Sequence, residues 1–133
     1  MLIAFYSGMR LAEVLRVKIW NDAFLLEDTK NGERRVIPIH FKLKRYIEHI
    51  PIKPARSTIQ KWIRIAMRKC GHDDLHFHDM PHSAASEMIN AGVDLHTVGG
   101  VLGHKSAQST KRYSHLATKT LAEAVAKIGK RRI

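Results

Sequence analysis

The sequence predicts a mostly α-helical fold with one small antiparallel β-hairpin sheet, which is an α+β class. Three observations favour this fold. Apolar residues recur at the i, i+3, i+4 spacing of helices over most of the chain. Two short β-like runs, residues 24–27 and 34–37, flank Asn31-Gly32, a strong hairpin signal because both turn residues need positive φ. No run of about 18 apolar residues occurs, so we expect no membrane-spanning helix.

Length and composition predict one globular domain. The chain has 133 residues, of which 44% are hydrophobic and 26% charged, enough for one modest core. Lys and Arg number 23 against 12 Asp and Glu, a net charge of +11 that favours a polyanionic partner, nucleic acid or an anionic membrane surface. The single cysteine, Cys70, excludes a disulfide framework. The chain starts without a basic leader, so we expect a cytoplasmic protein.

The first elements are two short helices and a hairpin. Residues 2–6 are apolar and end at Ser7-Gly8, with Ser7 expected to cap a second helix. Arg10 falls in the first turn of that helix, off its apolar face. Strands are predicted over residues 24–27 and 34–37. A further helix is predicted over residues 41–50, before two prolines.

The clearest helix opens with a capping box, Ser57-Thr58-Ile59-Gln60. Its apolar stripe is expected to face the core: Ile59, Trp62, Ile63, Ala66, Met67 and Cys70. A fourth helix is predicted to open at Pro81 and to end at Gly92. Its expected core residues are Ala84, Ala85, Met88 and Ile89. Asp94 is the expected cap of a fifth helix, and further helical turns are predicted over residues 109–113 and 116–128.

Six polar residues stand at positions that these elements would present: Arg10, Lys30, His78, His82, His104 and Tyr113. Such a set suits phosphodiester chemistry without a metal. Cations neutralise charge on phosphate oxygens, an imidazole handles a proton, and a phenol attacks to form a covalent intermediate.

Four blocks in this order carry a resemblance: Ser7-Gly8-Met9-Arg10-Leu11-Ala12-Glu13, Thr29-Lys30-Asn31-Gly32, His78-Asp79-Met80-Pro81-His82-Ser83, and Leu102-Gly103-His104 followed by Thr110-Lys111-Arg112-Tyr113-Ser114-His115. Together they resemble the catalytic domain of the tyrosine recombinases, the phage integrase family. The resemblance extends over residues 2–116, and its last block, with a tyrosine nine residues after Gly-His, is the most specific.

The resemblance implies a role for five of these six residues. Arg10 would contact the non-bridging oxygens of the scissile phosphate, and Lys30 would be the general acid for the leaving 5′ oxygen. His78 would assist proton transfer, and His104 would donate a hydrogen bond to a phosphate oxygen. Tyr113 would attack phosphorus and form a 3′-phosphotyrosine. Residues expected to bind DNA are Arg10, Lys30, His104, Lys105, Lys111 and Arg112.

The resemblance also implies partners: double-stranded DNA and other recombinase protomers in a four-protomer synapse, with no cofactor, metal or membrane. Two departures accompany it. Pro81 stands where the family's second phosphate-binding arginine belongs, which removes a bidentate donor. The family's N-terminal DNA-clamping domain is expected to be missing. Glu13, one helical turn from Arg10, is expected to brace it.

Other interpretations stay open at this point. Arg10 and Lys30 are also typical of solvated surface, and Tyr113 and His104 of structural residues. The His and Asp residues between His72 and His82 suggest a metal site, although their spacing does not match a helical zinc pair. The basic tail, residues 116–133, is expected either to dock on a neighbouring protomer or to pack on its own domain. The competing functions are an active strand transferase, an inactive integrase remnant and a plain basic binding module.

Overall fold

In the computed structural model, residues 1–28, 33–104 and 118–129 are described. The chain divides into two compact units, Met1–Ala84 and Ala85–Ile133. The predicted fold class is confirmed, because helices accompany one antiparallel sheet. None of the helices in the described part of the chain is long and apolar enough to cross a membrane.

The helices and strands follow one another in a simple order. The first unit contains α1 (Leu2–Ser7), α2 (Leu11–Arg16), β1 (Lys18–Trp20), β2 (Ala23–Asp28), β3 (Glu33–Pro38), a 3-10 helix η1 (Phe41–His49) and α3 (Arg56–Lys69). Helix α4 (Asp79–Asn90) contains the division between the units. The second unit continues with α5 (Leu95–Leu102) and α6 (Thr118–Ala126).

Ser7 closes α1 and does not cap α2, which corrects the sequence prediction. Its hydroxyl donates to the carbonyl of Ile3 one turn back and accepts the backbone N–H of Met9 at 3.2 Å. Gly8 then takes the left-handed conformation, φ 73°, that commonly ends a helix. The chain therefore turns between the helices, and Arg10 becomes the N-cap of α2.

The sheet has three antiparallel strands in the order β1-β2-β3, one more than predicted. Asn21 and Asp22 join β1 to β2 with φ values of 49° and 59°. Trp20 pairs with Ala23, so this is a two-residue hairpin turn with positive φ at both positions. In the sequence, the signal for this turn is the Asn-Asp pair, since these two residue types tolerate positive φ better than other non-glycine residues.

Strands β2 and β3 place one face of the sheet in the core. Phe24 pairs with Ile37, and both are buried. Two positions along, buried Leu26 pairs with Arg35, which therefore shares the inward face because side chains alternate along a strand. The rest of this core comes from other parts of the first unit: Ala4, Met9, Leu11, Val14, Val17, Leu43 and Phe77.

The segment predicted as an α-helix over residues 41–50 is a 3-10 helix, η1. Leu43 is buried, and Tyr46 is half-buried three residues later. Three residues per turn place these two side chains on one edge of the helix, so the tighter helix suits the apolar pattern. His40 caps η1, with Nδ1 accepting the N–H of Lys42 at 3.1 Å.

Helix α3 begins at Arg56 with Ala55 as its N-cap, so the predicted capping box at Ser57 is wrong. Ser57 lies inside the helix. Hydroxyl side chains cap only when their residue has non-helical dihedrals, and here Ala55 holds that extended conformation, φ −64° and ψ 152°.

The expectation that the whole apolar stripe of α3 is core is also wrong. Ile59 and Ile63 pack, partly buried, against the first core, but Trp62 is 56% exposed and Cys70 is exposed. Only one edge of α3 meets the core, because no described element covers the other apolar side. Trp62 instead lines an open groove of about 700 Å³.

The second unit has its own small core of Ala85, Ile89, Val98 and Leu102. Helix α4 opens at Asp79, two residues earlier than the predicted start at Pro81. Proline is tolerated there because the first N–H groups of a helix have no intrahelical partner.

Asp94 caps α5 as predicted, and this cap carries a testable pKa shift. Its carboxylate accepts the hydroxyl of Thr97 at 2.7 Å and the backbone N–H of Thr97 at 2.8 Å. These hydrogen bonds, the hydroxyl first, hold the pKa of Asp94 below its ordinary value. Because the folded pKa is lowered, the cap stabilises α5 above the ordinary pKa and is lost as pH falls through the lowered value.

Thr97→Ala is expected to raise the Asp94 pKa part of the way to its ordinary value, since the backbone bond remains. Thr97→Ser keeps the hydroxyl and serves as the control. Titration of the Asp94 carboxyl carbon by NMR measures both variants, and an unchanged pKa in Thr97→Ala would contradict this assignment.

Candidate phosphodiester site

Arg10 stands at the N-cap of α2, where the chain changes from extended to helical. Its dihedrals are φ −76° and ψ 161°. The backbone N–H donates to Oε1 of Glu13 at 2.9 Å, and its carbonyl accepts the N–H of Val14 at 2.9 Å. Arg10 is exposed. A cation on a fixed backbone and open to solvent is suited to bind a phosphate oxygen.

Glu13 braces Arg10 through the backbone, and its ion-pair partner is Arg35. Oε2 of Glu13 lies 2.8 Å from Nη1 of Arg35, and the two side chains are only 9% and 19% exposed. Sequence reasoning missed Arg35. The available signal was its place in β3, where strand alternation puts it on the same face as buried Ile37, so that a charged residue there needs a partner.

His78 lies in the loop that leads into α4, and its side chain is 73% exposed. Its ring stacks on that of His76, with centroids 5.4 Å apart. Asp79 organises this loop: Oδ2 accepts the backbone N–H of His76 at 2.8 Å, and Oδ1 lies 3.7 Å from Nε2 of His78. The imidazole is therefore held beside a carboxylate and remains open to a substrate.

Pro81 is the third residue of α4 and is half-buried. Its side chain has no hydrogen-bond donor. The position that the resemblance assigns to a phosphate-binding arginine therefore contributes no charge in this chain.

His104 follows α5 in the second unit. Gly103 adopts the left-handed conformation, φ 75°, and the N–H of His104 then donates to the carbonyl of Gly99 at 2.9 Å. This bond pattern is the Schellman motif that closes helices. The motif fixes the backbone of His104, and its half-buried side chain leaves directly from the helix end.

The other candidates lie outside the described residues: Lys30, Lys105, Lys111, Arg112 and Tyr113. The Asn31-Gly32 turn and the predicted turns over residues 109–113 lie there too. Arg10 and His78 belong to the first unit and His104 to the second. Within the described ranges, no three His, Cys, Asp or Glu residues are grouped to hold a metal ion.

A family model described as the phage integrase family matches residues 51–120, just over half of the chain. The chain belongs to the phage integrase family. The resemblance to tyrosine recombinases is thereby confirmed. The matched segment of this integrase-family chain contains His78, Pro81, His104 and Tyr113.

Curated relatives are longer than this integrase-family chain. A shufflon-specific DNA recombinase of Escherichia coli is 30% identical over 129 residues, covering 86% of this chain and 33% of the relative. A tyrosine recombinase of Thermosipho africanus is 26% identical over 146 residues, covering 95% of this chain and 52% of the relative. The chain thus spans about half or less of these two proteins.

Solved structures share its fold. XerA recombinase matches 98% of the chain with a TM-score of 0.70 at 21% identity, over 57% of its own length. The catalytic domain of bacteriophage HP1 integrase matches 94% of the chain with a TM-score of 0.69 at 23% identity, over 77% of its own length. XerH recombinase bound to difH substrate, in a post-cleavage complex, matches 97% with a TM-score of 0.69 at 20% identity, over 44% of its own length.

Proposed function

We propose that this chain acts in site-specific recombination, breaking and rejoining duplex DNA through a 3′-phosphotyrosyl intermediate on Tyr113. The observation that carries the proposal is the family match over residues 51–120, which contains His78, His104 and Tyr113 in the expected order. The exposed Arg10 on its braced helix cap supports it from outside that segment.

In the proposed step, the phenol oxygen of Tyr113 attacks the scissile phosphorus while His78 assists removal of its proton. The bond from phosphorus to the 5′ oxygen breaks, and Lys30 donates a proton to that oxygen. The products are a 3′-phosphotyrosine and a free 5′ hydroxyl. Because one phosphoester replaces another, a second DNA strand can reverse the step without ATP or another cofactor.

Charge neutralisation supplies most of the catalysis in such a step. Arg10 and His104 would hold the non-bridging oxygens of the scissile phosphate. The remaining residues proposed to bind DNA are Lys30, Lys105, Lys111 and Arg112. A net charge of +11 supports a duplex DNA partner, because binding to phosphates is largely electrostatic.

We further propose that the tail, residues 116–133, docks on a neighbouring protomer of a four-protomer synapse. Leu121, Val125 and Ile128 recur along one side of this segment, and all three are exposed. Exposed apolar stripes of this kind are typical of interaction sites.

A second candidate function is an inactive integrase remnant that binds DNA without cutting it. Pro81 favours this candidate, since one buried or pre-organised donor is worth on the order of 10²–10³ in rate at comparable sites. The two candidates share phosphate contacts, so DNA affinity and its salt dependence do not separate them.

A nicked suicide duplex tests the proposal. Loss of a short fragment beyond the nick traps the covalent intermediate, which migrates as a protein–DNA adduct on a denaturing gel. We expect an adduct in which the DNA is attached to the peptide that contains Tyr113. If the chain binds the duplex but forms no adduct, the proposal is wrong, and recovery of the adduct in Pro81→Arg would then favour the inactive remnant.

A further inference from the structure

We propose that Arg35 is a positioning residue for Arg10 and acts through Glu13. The inference rests on the proposed function in one respect, the assignment of Arg10 to the scissile phosphate. Arg35 lies outside the four sequence blocks that resemble the family. The structure connects Arg35 to Arg10 through two contacts of the Glu13 carboxylate.

The two oxygens of Glu13 have different partners. Oε1 accepts the backbone N–H of Arg10 at 2.9 Å, and Oε2 lies 2.8 Å from Nη1 of Arg35. A carboxylate held at both oxygens cannot rotate about its last bond without losing one contact. Arg35 thus keeps Oε1 aimed at the amide of Arg10 and fixes the point from which the Arg10 side chain leaves.

Burial limits the screening of this contact by water and salt. Glu13 and Arg35 are 9% and 19% exposed, and charge-assisted hydrogen bonds are least screened where water is excluded. Among the described residues, Nε and Nη2 of Arg35 are buried without a hydrogen-bond partner. Glu13 is therefore the group that compensates this buried guanidinium within the described part of the chain.

The contact also joins two elements that are distant in sequence. Glu13 belongs to α2, whereas Arg35 belongs to β3, on the inward face of the sheet beside Leu26. The helix cap that presents Arg10 is thereby tied to the sheet.

Two matched variants distinguish positioning of Arg10 from the general effect of removing one positive charge. Arg35→Met removes the ion pair but leaves Glu13 able to accept the Arg10 amide. It also leaves the buried Glu13 carboxylate without its cation, which destabilises the fold, so the variants are compared at a temperature where thermal unfolding shows that each is folded. Arg34→Met is the control: it removes the same charge from the neighbouring residue of β3, whose side chain is exposed and forms an ion pair with Glu27 at 3.6 Å.

We expect Arg35→Met to slow adduct formation at saturating DNA by roughly 10- to 100-fold, the scale of a misplaced catalytic contact. Arg34→Met is expected to stay within about twofold of the unmodified chain. In an Arg10→Ala background, Arg35→Met should have no further effect, because its action passes through Arg10. A merely structural ion pair predicts the same loss in both backgrounds, and that result would overturn the inference.

The positioning role of Arg35 and the proposed strand transfer are tested by different measurements. If the unmodified chain forms no adduct, the proposed strand transfer fails. The effect of Arg35→Met, with and without Arg10→Ala, is then measured as a change in affinity for duplex DNA, which needs no catalysis. Hydrogen exchange gives a reading that requires no DNA: the Arg10 amide should exchange faster in Arg35→Met and unchanged in Arg34→Met. Equal exchange in both variants would overturn the positioning role.

Discussion

Replacing Tyr113 by phenylalanine is expected to abolish the covalent adduct between this chain and a nicked suicide duplex. A phenyl ring has no oxygen to bond to phosphorus, so no phosphotyrosine forms, and a rate loss on the order of 10⁴–10⁶ is typical for removal of a nucleophile. Affinity for the same duplex is expected to change little, because the phosphate contacts come from cations. The measurement is adduct yield over time on a denaturing gel, at saturating protein.

Tyr46→Phe provides the matched control for this experiment. Tyr46 is half-buried in the first unit, and its ring lies 4.9 Å from the guanidinium of Arg45. Removing its hydroxyl makes the same chemical change at a position that has no proposed part in the reaction. Adduct that persists in Tyr113→Phe, or disappears equally in Tyr46→Phe, would contradict the assignment of the nucleophile.

Restoring an arginine at position 81 is expected to raise the rate of adduct formation by on the order of 10²–10³, the worth of one pre-organised donor. Arginine offers a bidentate fork to a phosphate, whereas Pro81 offers no donor. The fold should accept the change. Pro81 is half-buried in the first turn of α4, where arginine is a better helix former than proline.

Two further substitutions identify the cause of any gain at position 81. Pro81→Gln removes the ring without adding charge, and Pro81→Lys adds charge without a planar fork. The expected order of adduct rates is Arg above Lys above Gln. If Gln matches Arg, the gain comes from relief of the proline and not from a phosphate clamp. No adduct with the unmodified chain and recovery in Pro81→Arg would favour the inactive remnant, whereas a rate at background in all three variants would contradict the phosphate-clamp role of position 81.

Local patterns were sufficient to predict much of the secondary structure. The Asp94 cap, the strands around residues 24–27 and 34–37, and the core positions Ala85 and Ile89 follow from side-chain period and capping chemistry. These properties depend on residues within one or two turns of each other. The family is also readable from the sequence, since the blocks around Arg10, His78, His104 and Tyr113 stand in one order.

Tertiary contacts decided the features that local patterns predicted wrongly. Trp62 and Cys70 belong to the apolar stripe of α3, yet both are exposed. Helical period identifies an apolar face, but only the neighbouring elements determine how wide a strip of it is covered. The residue type of Ser7 likewise predicts a cap, whereas its hydrogen bond to the carbonyl of Ile3 and the left-handed Gly8 place the helix boundary elsewhere.

The candidate site also combines features that the sequence predicts with one that only the tertiary structure shows. Sequence alone identified the five residues proposed to act on phosphate and the proline at position 81. Only the folded chain revealed that Glu13 gives one oxygen to the Arg10 backbone and the other to Arg35. That ion pair joins residues 22 positions apart in the chain, and no local rule of spacing or propensity relates them. It exists because the sheet and α2 bury both charges at one place, where each compensates the other.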